Sequence, residues 1–331
     1  MINTDDFFDI VSEQLQLGKV LEKPVQVTGG FMHRMFRLVT ENDKYVIKLL
    51  NPNIMKRSDA MGNYKIADDI EEILKQNNIP AVYALEFNGR KMQEMNGQYY
   101  YIFDWYDGKS LKNNEIEMFH CEQMGELLAK IHNIDLKKEV FERREIQIDW
   151  QKYVHLAKEM HSPIYNIIRN NVDIFNDSMN KGNAALKKLP SIKAICHNDM
   201  DSKNVLWLGN EFKLIDLECL SYSNPYLELF ELALCWSGYE SCSIDFELFN
   251  AFFRFYFYNT NLDTDIDWEV MYYSNYGRLE WLEYNIKRAL MLECDTIEEQ
   301  QLGISEVRET VNHIIYYDKV RKDILNNIYM M

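Results

Sequence analysis

Two short polar clusters carry the residue types best suited to chemistry. The first reads His197-Asn198-Asp199-Met200-Asp201-Ser202-Lys203-Asn204, a spacing H-x-D-x-x-x-x-N, and follows the apolar run Ala194-Ile195-Cys196. The second, Ile215-Asp216-Leu217-Glu218, follows Phe212-Lys213-Leu214. Both clusters sit at the ends of short apolar strands, so a hairpin would bring them to one rim. Phosphoryl transfer needs a carboxylate to orient the attacking hydroxyl and accept its proton, and oxygen ligands that hold magnesium on the phosphates. Asp199 fits the first role. Asn204, five residues on, and Asp216, after the second strand, fit the second. His197 is expected to brace the loop by hydrogen bonds rather than to do chemistry. Either cluster alone reads better as a chance polar loop after a core strand. Together, behind the strands described next, they read as a phosphoryl-transfer site.

The elements that must position these clusters begin upstream. Residues 4–16 have Phe7, Phe8, Val11 and Leu15 at helical spacing behind Thr4 as a cap. A meander follows: Val25 and Val27, then Gly29-Gly30, then Met35–Val39, a polar turn at 41–44, and Tyr45-Val46-Ile47-Lys48-Leu49-Leu50. A helix is expected over 58–77, with Ile66, Ile70, Ile73 and Leu74 on one face, and strands over Val82–Phe87 and Tyr99–Trp105. Lys48 stands inside an apolar strand, where an ammonium is costly to bury without an anion, so it is read as a phosphate ligand. Alternation also allows a solvated strand face. Gly29 and Gly30 can let backbone N–H groups approach phosphate, although two glycines in a hairpin are more often only a turn. Beyond Asp107-Gly108 the pattern turns helical, over 115–133, 149–187, 226–240, 243–258, 267–294 and 304–328, interrupted by the hairpin at 194–218. The expected class is α+β in two lobes: 1–104 as a nucleotide-binding lobe with a small antiparallel sheet, and 105–331 as a mostly helical lobe carrying the hairpin and an acceptor site.

Composition narrows the partners. The 331 residues have an ordinary hydrophobic fraction and no apolar run of membrane-spanning length. The N-terminal stretch carries early acids and no basic segment, unlike a secretory leader. Six cysteines without a CxxC pair read as reduced thiols, and the chain is expected to be cytoplasmic. The net charge of −16 argues against nucleic acid as a partner. The acidity is uneven. Residues 1–110 hold 13 Lys/Arg and 16 Asp/Glu, a net of −3, and residues 111–331 hold 23 and 36, a net of −13. Such a second half suits a cationic ligand, or serves solubility alone.

The pattern H-x-D-x-x-x-x-N followed by I-D-x-E resembles that of the aminoglycoside phosphotransferases and choline kinases, from about Val25 to about Tyr239. The resemblance implies a protein-kinase-like fold and transfer of the γ-phosphoryl group of ATP (or GTP) to a hydroxyl. It also implies Mg²⁺, with Asp199 as base and Asn204 and Asp216 as metal ligands. Phe103, Asp104, Trp105 and Tyr106 match the family's hinge, where the base bonds to backbone. Asn198 and Glu218 lean toward the choline-kinase branch. Glu218, Glu228, Glu231, Glu280 and Trp281 are nominated for the acceptor, because acids beside aromatic rings suit a cation. The rings at 281 and 284 also have the spacing of core residues. The family's helix glutamate, the partner of the strand lysine, would fall near Ile66 or Ala67, where no acid stands. Asp69 or Asn63 could replace it, and Glu71 is expected to point away.

Three functional readings follow. The first is a kinase of a cationic antibiotic, a resistance activity. The second is a metabolic kinase of choline or another amino alcohol. The third, from a different class, is a catalytically silent nucleotide-binding module, for which the missing helix glutamate argues. A protein kinase is disfavoured: there is no D-F-G or A-P-E, and no room for an activation loop between Asp216 and the helix at 226.

Overall fold

In a computed structural model, residues 4–27, 33–139, 144–294 and 296–330 are described. In chain order the first elements are α1 (Thr4–Gln14), β1 (Val25–Val27), β2 (Arg34–Val39), β3 (Lys44–Leu49), α2 (Pro52–Met55), α3 (Ala60–Gln76), β4 (Gln93–Met95) and β5 (Gln98–Asp104). Then come α4 (Met118–His132), α5 (Trp150–Glu159), α6 (Tyr165–Arg169), α7 (Val172–Leu186), and four short strands: β6 (Ala194–Cys196), β7 (Val205–Leu208), β8 (Glu211–Leu214) and β9 (Ser221–Ser223). The chain closes with α8 (Pro225–Trp236), α9 (Phe246–Asn259), α10 (Trp268–Ser274), α11 (Arg278–Ala289) and α12 (Ile297–Tyr329). It forms two compact units, Met1–Asn114 with His197–Ser221, and Glu115–Cys196 with Tyr222–Met331.

The first unit is built on an antiparallel sheet in the order β1-β2-β3-β5-β4. Strand alternation assigns its two faces. Phe36, Leu38, Ile47, Leu49, Tyr100 and Ile102 pack with Phe7, Phe8 and Val11 of α1. Lys48, opposite Tyr101 in register, belongs to the other face, where Leu50 and Tyr101 pack with Tyr64 of α3. The β4–β5 connection is the two-residue turn Asn96-Gly97, with φ of 53° and 80°, which only asparagine and glycine adopt readily.

Two details of this unit depart from the sequence pattern. The strand expected over Val82–Phe87 is replaced by isolated bridges over residues 81–87: Ala81 with Leu214, Ala84 with Phe103, Phe87 with Arg90. The Glu71 carboxylate takes the Ala84 N–H, and the Val82 N–H goes to the Leu214 carbonyl, so no single neighbour collects the ladder. The buried face of α3 is Tyr64, Ala67, Ile70, Glu71 and Leu74, whereas Ile66 is exposed. Hydrophobicity misplaced that stripe because a charged residue belongs to it.

The hairpin β7–β8 was expected with the helical lobe, and a boundary was expected at 104. The compact units divide otherwise, because backbone bonds join the hairpin to the first unit. Leu214 bonds Pro80 and Val82, and Trp207 exchanges both bonds with Lys109. Gly108 allows the second pairing, since a Cβ there would lie 2.6 Å from the Tyr106 ring.

The second unit is helical. Gly125 lets α4 close onto α9, because a Cβ would run into the Phe252 carbonyl. A core of Trp150, Phe175, Leu279, Leu282, Ile286, Val307 and Val311 joins α5, α7, α11 and α12. The long helices expected over 149–187 and 267–294 are broken, the first beside Pro163, which biases Ser162 away from helix, and the second at Asn275–Gly277.

Candidate active site

The first unit brings the two motifs and Lys48 together. The Lys48 side chain is buried, and its Nζ donates to Asp216 Oδ1 at 2.5 Å and to Glu218 Oε2 at 2.7 Å. Burial pulls the ammonium down, and Asp216 and Glu218 more than offset it, so its pKa is raised. Burial likewise pushes the Glu218 carboxyl up, but the hydrogen bond from His33 and the Lys48 charge pull it below the usual range. Asp216 has φ 60° and ψ 57°, a left-handed conformation that Asp tolerates better than most residues.

Across the hairpin, the Asn204 amide nitrogen donates to the Asp199 carbonyl and to Asp199 Oδ2, both at 2.8 Å. Lys203 Nζ reaches Asp199 Oδ1 at 3.2 Å and Asp201 Oδ2 at 2.7 Å. Burial raises the Asp199 pKa, which Lys203 partly opposes. Asn198, at φ 62°, ties this loop to the end of the second motif, donating to the Cys219 carbonyl at 2.8 Å and to Ser221 Oγ at 3.0 Å.

Several expected placements change. His197 is fully buried, and among the described residues neither ring nitrogen has a hydrogen-bond partner. It supports the loop by filling space, not by the hydrogen bonds expected of it. The lysine partner is not Asp69, which pairs with Lys65 on the surface, nor Asn63, which is exposed. Glu71 does point inward, but it accepts from Ala84 N at 2.9 Å and pairs with Lys91 at 3.2 Å. Asp68 accepts from the Tyr101 hydroxyl. Thus no acid of α3 pairs with Lys48, and the hairpin supplies both counter-charges. Glu218, nominated for the acceptor, is found paired with Lys48. Sequence reasoning missed His33 and Tyr64, which both touch Glu218. The sole signal was a histidine at the edge of an apolar strand.

At the hinge, Phe103 pairs with Val46 in register, and the Trp105 N–H bonds the Lys44 carbonyl at 2.9 Å. The Trp105 indole donates to Asp107 Oδ1 at 2.7 Å. Asp104 closes β5 opposite Tyr45, and Lys213 lies over the Tyr106 ring at 4.9 Å. Gly29 and Gly30 lie outside the described residues.

The second unit separates the remaining nominated residues. Glu228 is buried and accepts from His132 Nε2 at 2.8 Å. Glu280 and Trp281 are exposed, the Trp281 indole donating to Glu306 at 3.2 Å. Glu231 alone of the four lines a cavity of about 60 Å³, together with five tyrosines (239, 272, 273, 276 and 317), the acids Asp177 and Asp318, and the bases Lys181 and Arg278. On the measure by which one water needs roughly 10–15 Å³, this cavity has room for a few waters. Its rings are set by backbone bonds: Tyr272 and Tyr317 stack at 4.3 Å, and each hydroxyl donates to the other's carbonyl at 2.8 Å.

The five-stranded sheet, the helical unit and the lysine–aspartate site define the class, a kinase-like phosphotransferase. A family model, the phosphotransferase enzyme family, matches residues 24–264, and the chain belongs to that family. No curated protein matches the sequence. Among solved structures, spectinomycin phosphotransferase bound to ADP and spectinomycin is 13% identical with a TM-score of 0.68, covering 96% of this chain and 99% of its own. Amicoumacin kinase in complex with AMP-PNP, Ca²⁺ and Ami is 12% identical, TM-score 0.60, with 92% of each chain covered. Choline kinase from Cryptosporidium parvum is 14% identical, TM-score 0.54, covering 97% and 96%. These likenesses are of fold, and they confirm the kinase-like α+β architecture expected from the sequence. Among the described residues no helix is long and apolar enough to cross a membrane.

Proposed function

We propose that the chain is an ATP- and Mg²⁺-dependent kinase that phosphorylates a hydroxyl of a small cationic acceptor. The observation that carries this reading is the joining of Lys48, Asp216, Asn204 and Asp199 within one compact unit, each charged or polar head held by named partners. Asp199, as general base, takes the acceptor's hydroxyl proton. Lys48 steadies the nucleotide phosphates.

The donor set fits a hard divalent ion. Asn204 spends its NH₂ group on Asp199, so its amide oxygen is the atom offered to a ligand. Asp216 has one oxygen on Lys48 and a second besides. Asn204 and Asp216 would hold the ion, which when bound neutralises phosphate charge. The nucleotide-bound relatives support a nucleotide here: spectinomycin phosphotransferase with ADP and amicoumacin kinase with AMP-PNP and Ca²⁺.

For the acceptor, the tyrosine-lined cavity with Glu231 offers ring faces and the carboxylates of Asp177, Glu231 and Asp318, in a lining that also carries Lys181 and Arg278. The net of −13 over residues 111–331 works in the same direction. The test is an ATP-consumption assay over a panel of aminoglycosides, amino alcohols, neutral sugars and sugar phosphates, with and without EDTA. Turnover restricted to amine-bearing alcohols and abolished by EDTA is expected. A neutral or anionic best substrate, or metal-independent turnover, would refute it.

A further inference from the structure

Lys48 lacks a helix partner, and the structure supplies another. Three donors converge on one carboxylate oxygen, Glu218 Oε2: Lys48 Nζ at 2.7 Å, His33 Nε2 at 3.2 Å and the Tyr64 hydroxyl at 3.4 Å. The Lys48, His33 and Tyr64 side chains are all buried. The direction of the His33 contact follows from its other nitrogen. The backbone N–H of Asn51 donates to His33 Nδ1 at 2.9 Å, so Nδ1 carries the lone pair and Nε2 the proton. Nε2–H therefore faces the carboxylate, with the Tyr64 hydroxyl 3.2 Å away. The clamp ties β2, next to the residue that opens it, to α3 and to the hairpin's second motif.

This arrangement gives the two carboxylates on Lys48 different prospects. In the proposed function Asp216 turns an oxygen to the metal. Glu218 is the one of the pair fixed by neighbours other than Lys48. We propose that His33 and Tyr64 are positioning residues that hold Glu218 as the anchor of Lys48, doing from β2 and α3 the work that a helix glutamate does elsewhere. This rests on the kinase reading.

The experiment measures Kd for MgATP by calorimetry, which needs no acceptor, and kcat/KM for ATP with whichever acceptor turns over. His33→Ala and Glu218→Gln should each weaken kcat/KM for ATP by about 10-fold or more, the scale of a hydrogen bond to a charged group. Tyr64→Phe should have a smaller effect of the same kind. Acceptor KM should stay within about twofold, and His33→Gln, which restores an N–H near Nε2, should recover most of the loss. In a Lys48→Met background His33→Ala should add nothing, because it acts through the lysine. Wild-type ATP parameters in His33→Ala overturn the inference, as do additive losses in the Lys48→Met background. A lowered melting temperature as the sole effect overturns it too. If the wild-type protein binds no MgATP, the kinase reading falls and this one with it. If it binds and the variants match it, this inference alone falls.

Discussion

Glu218 and Glu228 stand ten residues apart, both nominated as acceptor ligands, and the structure gives them opposite lives. Glu218, in the first unit, collects an ammonium, an imidazole N–H and a phenol on one oxygen, beside Asp216. Glu228, in the second, bonds His132, whose other nitrogen is 2.7 Å from the Tyr256 hydroxyl, with the Cys196 sulfur 3.8 Å from Nε2. Burial, and then Glu228, raises the Cys196 thiol well above its ordinary value, so it stays a neutral partner. Both histidine nitrogens are used, and His132, Cys196 and Glu228 are buried. One carboxylate shares Lys48 with Asp216, beside the motif residues. The other is enclosed by His132, which also meets Tyr256 and Cys196, in the helical unit. Burial of an acid thus tells a site from a scaffold only together with its partners.

Four substitutions press on that contrast. The largest effect is expected at the proposed base: Asp199→Ala should lower kcat by about 10²–10⁴-fold, with MgATP Kd and melting temperature close to wild type. Near-normal kcat would remove Asp199 from its role. Next, His132→Ala should cost about 3–5 kcal/mol of unfolding free energy by stranding the Glu228 carboxylate, read by urea denaturation. Folded protein should keep its kcat. A catalytic loss without a stability loss would mean that Glu228 belongs with Glu218. Third, Glu218→Gln should reverse that pattern, with about a 10-fold loss in kcat/KM for ATP and little change in denaturation midpoint. The smallest effect is expected at Glu231→Gln, a few-fold rise in acceptor KM that shrinks as salt is added, since an exposed charge is screened over about 8–10 Å. A salt-independent acceptor KM in the wild-type protein would place the acidity of the second unit on its outer surface alone.

The motifs were legible because spacing in a hairpin is local. Five residues separate Asp199 from Asn204, and a short strand pair precedes Asp216. The position of Lys48 was legible for a related reason, since it interrupts an apolar strand. The small sheet followed from alternation and from turns such as Asn96-Gly97. Regularity was overestimated at Val82–Phe87 and over 149–187, where side-chain and backbone competition for N–H groups, and a proline, break elements whose composition looks continuous.

What the sequence by itself determined about this protein was therefore its reaction class: the motif spacing, the strand lysine and the order of sheet, hairpin and helices. Which charge answers which was decided only by the tertiary structure. Lys48 meets Asp216 and Glu218 across separations of 168 and 170 residues, while the acids of α3 turn to Ala84, Lys91, Lys65 and Tyr101. Glu228 and Glu231, less than one helical turn apart, divide between a closed core network and a tyrosine-lined cavity. Local periodicity reports the face of a helix. It does not report what stands opposite that face, and for a charged group the opposing partner sets the energy of every protonation and binding state.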